Sequence, residues 1–196
     1  MTDTRSEILQ AVRSSLAIGE QRSVSRTELV EKRILTSEAH VQPVVADPLI
    51  QQFCDKHATV NGTYERVANL AEIPPAVLRH LTAIESPIQL LVGQGELLDA
   101  VLWPDNISRE KRPATVEDSV AISEAYAGIA ETGTLVLLSQ EQRWTSHNFL
   151  PDDHIIVLNS NLIMRYQEDI WRRLRTLPDG LPRVVNLITG PSKTAD

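Results

Sequence analysis

Apolar positions in the first twenty residues recur at helical spacing. Ile8, Leu9, Val12 and Leu16 share one face, and Thr4-Arg5-Ser6-Glu7 fits a capping box, so a helix is predicted from there to near Gly19. Residues 20–27 are polar and charged and read as a flexible connection. The pattern therefore divides the chain into a helix with its linker, 1–27, and a larger domain, 28–196. From Val41 onward the period switches repeatedly between helix and strand. A helix is predicted near Asp47 to His57, capped by Asp47 with Pro48 in its first position. Thr59-Val60 opens a short strand, Pro74-Pro75 starts a helix over Ala76 to Ile84, and Gln89 to Val92 is a buried strand. Further strands are expected at Ser119–Ile129, Thr134–Leu138, Ile155–Leu158 and Val184–Ile188. Tyr166–Leu177 reads as a helix, acidic at its start (Glu168, Asp169) and basic at its end (Arg172, Arg173, Arg175), as the helix dipole favours. Alternating strands and helices imply an α/β sheet with helices on its faces.

Composition narrows the function classes. The 196 residues are enough to bury a substantial core, and 42% hydrophobic residues is ordinary for a globular chain. A net charge of −7 argues against nonspecific nucleic-acid binding, which needs Lys and Arg to match phosphate charge. No apolar run reaches the roughly 20 residues needed to span a bilayer, and the N-terminus lacks the plan of a secretory signal. The chain reads as cytoplasmic. One cysteine, Cys54, excludes an internal disulfide and an iron–sulfur cluster of the chain's own. Its place in Leu49-Ile50-x-x-Phe53-Cys54 suits a small buried hydrophobe.

Several familiar motifs fail. Gly93-Gln94-Gly95 follows a strand, but Leu98 stands where the dinucleotide fingerprint needs its third glycine, so an ordinary turn is expected. Gly190 to Thr194 is not a phosphate-binding P-loop, because Ser192 and Leu187 occupy the required glycine positions. The five histidines have no HxxxH or HxH spacing. His147 and His154 share one segment with Asp152 and Asp153 without an organised ligand set, and no metal or cofactor is expected. No Gly-x-Ser-x-Gly elbow occurs.

The informative segments lie late in the chain. Glu131-Thr132-Gly133-Thr134 holds a charge and two hydroxyls at a tight turn before the strand Leu135–Leu138. Ligands of open α/β sheets collect at strand ends, whereas threonines in a turn also bond to their own backbone, and both readings stay open. Arg143 suits a carboxylate or phosphate through its planar fork, or serves as a solvated loop residue. His154 precedes an apolar strand, where it caps a sheet edge or lines a pocket.

Taken in order, Ala130-Glu131-Thr132-Gly133-Thr134, Leu150-Pro151-x-x-His154-Ile155 and Gly190-Pro191-Ser192-Lys193-Thr194-Ala195-Asp196 resemble the LUD-domain family, which includes lactate utilisation protein C. The match is clear over residues 115–196. The resemblance implies a three-layer α/β/α sandwich similar to the NagB/RpiA/CoA-transferase-like fold, here preceded by an N-terminal helix. It also implies a place in the oxidation of lactate to pyruvate beside iron–sulfur oxidoreductase subunits. In the family the last motif runs on into a helix, so the C-terminal end of the domain is expected to be missing after Asp196.

On this reading a small anionic ligand sits between two loops. Glu131, Thr132, Gly133 and Thr134 form one wall. Gly190, Ser192, Lys193, Thr194 and Asp196 form the other, with Arg143 and His154 as secondary candidates. Two alternatives accompany it. One is an enzyme similar to CoA transferases or formyltetrahydrofolate cyclo-ligases, with Glu131 as acid, base or nucleophile. The other is a non-catalytic assembly subunit that docks through the Thr4–Leu16 helix, and homo-oligomerisation is left open.

Overall fold

The computed structural model describes residues 4–20, 28–32, 42–141 and 143–191. Ser192, Lys193, Thr194 and Asp196 lie outside the described residues, as does most of the polar connection at 20–27. The chain divides into two compact units, Met1–Gln42 and Pro43–Asp196. In the first, helix α1 spans Thr4–Glu20 and a short helix, α2, spans residues 28–32. Ile8, Leu9 and Val12, the face predicted to be apolar, are exposed.

The second unit holds two four-stranded sheets. Strands β1 (Gln89–Val92), β2 (Ser108–Glu110), β3 (Val120–Glu124) and β6 (Asp153–Val157) form an all-parallel sheet in the order β2-β1-β3-β6. Strands β4 (Ala127–Ile129), β5 (Thr134–Leu138), β7 (Ile163–Met164) and β8 (Val185–Ile188) form a mixed sheet in the order β7-β4-β5-β8. The expected α/β class is thus observed, with helices flanking the sheets. The run predicted as one strand over Ser119–Ile129 is β3 and β4, and the break between them is where one sheet gives way to the other. Ala125 N–H donates to the Val157 carbonyl of β6, whereas Tyr126 N–H donates to the Val136 carbonyl of β5.

The alternation of side chains along β5 explains why the mixed sheet needs cover on both faces. Leu135 and Leu137 pack with Phe53 and Cys54 of α3 (Leu49–Thr59), while Val136 and Leu138 pack with Ile170 and Leu174 of α6 (Gln167–Arg175). All five residues of β5 are buried. In the parallel sheet, Leu90, Val92, Val120 and Ile122 meet Ile73, Val77 and Leu81 of α4 (Ile73–Ala83). Leu98 of the short helix α5 (Glu96–Ala100) joins that cluster. Cys54 is buried in the α3 cluster, as its sequence setting suggests, and burial pushes its thiol up from its ordinary range.

Two local expectations are corrected. Pro48, not Asp47, takes the cap position of α3; the Asp47 carboxylate accepts from Arg165 Nη2 at 2.7 Å instead. Thr59-Val60 opens no strand, because Thr59 is the last residue of α3 and Val60 caps it. No helix among the described residues is long and apolar enough to cross a membrane.

Ile170 is fully buried between α6 and the mixed sheet. Replacing it with alanine is expected to cost about 2–5 kcal/mol in chemical denaturation, the range for truncating a large core side chain. Leu102, which is 91% exposed, should tolerate the same change within about 0.5 kcal/mol.

Candidate functional site

The sequence-predicted residues fall into two groups at opposite ends of β5. At its start, the turn after β4 brings Gly133 N–H onto the Ile129 carbonyl with φ +70, a conformation that glycine adopts without strain. A side chain on Gly133 would collide with the His57 backbone nitrogen, and the Gly133 carbonyl accepts from His57 Nδ1 at 3.0 Å. The turn is therefore seated on the end of α3. Thr132 and Thr134 hydroxyls lie 2.6 Å apart, and Thr134 and Thr189 hydroxyls also lie 2.6 Å apart. Thr189 precedes Gly190, whose φ of +76 and contact with Val60 leave no room for a side chain. The two glycine turns meet, joined by three hydroxyls, with Thr134 buried.

Glu131 turns away from that corner. Its backbone N–H donates to the Arg165 carbonyl, and its Oε2 accepts from Gln167 N–H at 3.5 Å. Gln167 opens α6, so the carboxylate lies where the helix dipole favours negative charge.

At the far end of β5 lies a narrow, partly open cleft. Gly93 at the end of β1, Ser123 and Glu124 at the end of β3, Arg143, Asn148 and Asn186 line it. It lies at carboxyl ends of parallel strands, where α/β sheets gather ligands. Arg143 Nε donates to the Gln94 carbonyl at 2.8 Å. That contact fixes the guanidinium by one edge, and among the described residues no side chain pairs with its two terminal amino groups, which suit an anion. Glu124 is committed elsewhere, its Oε2 accepting from Leu97 N–H at 2.8 Å and so capping α5.

His154 stands behind this wall, with Nε2 at 2.9 Å from Ser123 Oγ. Although the residue keeps some exposure, burial of the ring and the neighbouring His147 push its pKa down from 6.5 to about 4. His147 Nε2 donates to the Arg112 carbonyl at 2.8 Å. Among the described residues no group of three or more His, Cys, Asp or Glu side chains is placed to hold a metal ion.

Comparison with known proteins decides the family. Residues 50–196 match the model of the LUD domain. The chain belongs to the LUD domain family. Lactate utilisation protein C of Exiguobacterium is 31% identical over 97 residues, covering 48% of this chain and 42% of that protein. The protein of the same name from Macrococcus caseolyticus is 31% identical over 104 residues, 52% of this chain and 45% of its own length. The uncharacterised protein YkgG of Escherichia coli is 28% identical over 101 residues, 50% of this chain and 44% of that one. The chain spans less than half the length of these relatives. A crystal structure of a DUF162 family protein from Deinococcus radiodurans shares the fold, with a TM-score of 0.61 at 19% identity, over 75% of this chain and 90% of that one.

Within this LUD domain, Arg143 and His154 were legible as candidates in the sequence, but Ser123, Glu124 and Asn186 were not. The available signal was the polar Ser123-Glu124 step that ends the apolar run Val120–Ile122, hidden inside what reads as one long strand. Gly93 drew notice only as part of a failed fingerprint.

The depressed pKa of His154 predicts an acid sensitivity. The unfolded chain takes up this proton near pH 6.5 and the folded chain only near pH 4, so stability present above pH 6.5 is lost as pH falls toward 4. Urea denaturation should show an associated loss on the order of 2–3 kcal/mol across that window, since each tenfold change in proton affinity is worth about 1.4 kcal/mol. His154→Gln should flatten the profile; an unchanged slope would show that His154 is not its source.

Proposed function

We propose that this LUD-domain chain is a lactate utilisation protein C-like subunit. In this reading it acts in the oxidation of lactate to pyruvate beside iron–sulfur oxidoreductase partners and binds a small anionic ligand in the Arg143 cleft. The pathway part is supported by family membership and by the names of the relatives it matches. The division of labour is supported by Cys54, since one thiol does not supply the roughly four ligands of a cluster.

The observation that carries the binding part is the held guanidinium. Arg143 is fixed through Nε at the strand ends, and no acidic side chain among the described residues pairs with it. In a chain of net charge −7 this is a local cation presented to a cleft, arranged for planar recognition of a carboxylate. Glu131, at the first turn of α6, supports a structural part in the fold more than a chemical one. The enzyme reading that depends on it is ranked second for that reason.

Calorimetric titration of the full chain with lactate, pyruvate and acetate tests the proposal. Saturable binding is expected, with Arg143→Ala weakening it about 10- to 100-fold, as loss of a charge-assisted hydrogen-bonded pair implies. Failure of the unaltered chain to bind any of the three would contradict it.

A further inference from the structure

Residues 172–183 carry four arginines, Arg172, Arg173, Arg175 and Arg183, against one acid, Asp179, a local net charge of +3. The chain as a whole stands at −7, so its other residues carry −10. The segment holds the last turn of α6 and the loop that leads into β8. Its sign is the reverse of the rest of the protein, and a helix end explains only part of that.

The dipole of α6 favours cations in the final turn, an effect that fades within that turn. Arg183 lies beyond its reach, eight residues past the end of the helix at Arg175. Nor do the last carbonyls call for an arginine. That of Arg173 accepts from Thr176 N–H at 3.1 Å and from Thr176 Oγ1 at 2.8 Å, and that of Leu174 accepts from Leu177 N–H at 3.2 Å. Arg172 is paired within the helix, its Nη1 donating to Asp169 Oδ1 at 2.6 Å.

Arg173 and Arg183 are placed differently. The Arg173 guanidinium lies 4.8 Å from the centre of the Tyr126 ring, which holds the group without neutralising it. Arg183 is exposed at the entrance to β8, and no acidic side chain among the described residues pairs with either arginine. Packing brings their segments together: Val185, two residues after Arg183, joins Tyr126, Trp171 and Leu177 in the apolar cluster against α6. Leu181, between Pro178 and Pro182, adds a 63% exposed apolar side chain to the same loop. Arginine is enriched where proteins meet, because its charged fork and apolar stem both make contacts.

We infer that the end of α6 and its loop to β8 form a docking face for an acidic segment of another protein, contacted by Arg173, Arg183 and Leu181. Charge complementarity selects that occupant. A second copy related by a two-fold axis would set this patch against itself, arginine facing arginine. A nucleic acid is repelled along its length by the −10 carried elsewhere, whereas a short acidic segment meets the patch alone. The inference goes beyond the proposed function and is independent of what the Arg143 cleft holds.

The test is fluorescence anisotropy of a labelled poly-L-glutamate peptide titrated with the full chain. Saturable binding is expected at low salt and should weaken as added salt screens it, although a chain of net charge −7 has no bulk attraction for such a peptide. Arg173→Gln combined with Arg183→Gln should weaken binding about 2- to 30-fold, as loss of two exposed charge pairs implies, and the paired lysine substitutions should keep most of it. If the double change disturbs α6, Arg183→Gln alone, outside any helix or strand, should still weaken binding about 2- to 5-fold. Absence of peptide binding by the unaltered chain, or equal binding by the glutamine variants, would overturn the inference. So would capture of anionic lipid vesicles in place of the peptide. Loss of peptide binding in Arg143→Ala, with the glutamine variants unaffected, would assign the contact to the cleft and overturn it too.

Discussion

One peptide step organises this domain. Ala125 donates into the parallel sheet and Tyr126 into the mixed one, so a single extended run of chain belongs to both. A backbone donor buried between two sheets must be paired, and here consecutive donors are paired on different strands. Because β6 and β7 lie beside β3 and β4 in turn, the handover is made by two neighbouring chain segments together. The end of β3 is consequently fixed at the seam, where Ser123 and Glu124 face the cleft and Ala125 enters the core around α3.

The fully buried β5 extends that constraint. Its two faces are claimed by α3 and α6, which leaves only its ends for polar chemistry. One end carries the threonine hydroxyls and the left-handed glycines Gly133 and Gly190, packed against α3 and Val60 without space for a side chain. The other carries the Arg143 cleft. The same strand therefore separates a closed, mutually bonded corner from an open one with a held cation. Hydroxyls that satisfy one another offer less to a ligand than a guanidinium whose terminal groups remain available.

Much of this architecture was legible in the residues. The switch from helical to strand periodicity located α3, α4, α6, β1, β5 and β8, since each buries a regular apolar stripe or a continuous run. Harder to read was the seam, because Ala125 and Tyr126 interrupt neither hydrophobicity nor β-propensity. It is defined by which strand receives each N–H, a long-range fact. The brief strands β2 and β7 were missed because three or two residues carry no measurable period. The two glycine turns drew notice as a pair because each sets a glycine and hydroxyls at a strand end; that they touch through Thr134 and Thr189 is a long-range fact. The role of Glu131 was not legible, because its partner, Gln167, lies 36 residues away at the start of α6. The cleft was half legible: Arg143 stood out by chemistry, whereas Ser123, Glu124 and Asn186 acquire meaning only from the strand ends that bring them together.

The central claim is that the ligand site lies at the Arg143 end of β5 and not at the threonine corner. A crystal structure of the full chain soaked with lactate tests it most directly. Carboxylate density is expected against the Arg143 guanidinium, with the rest of the molecule reaching Gly93. Density seated instead on the Thr132–Thr134 turn beside Gly190, with the Arg143 cleft occupied only by water, would contradict it.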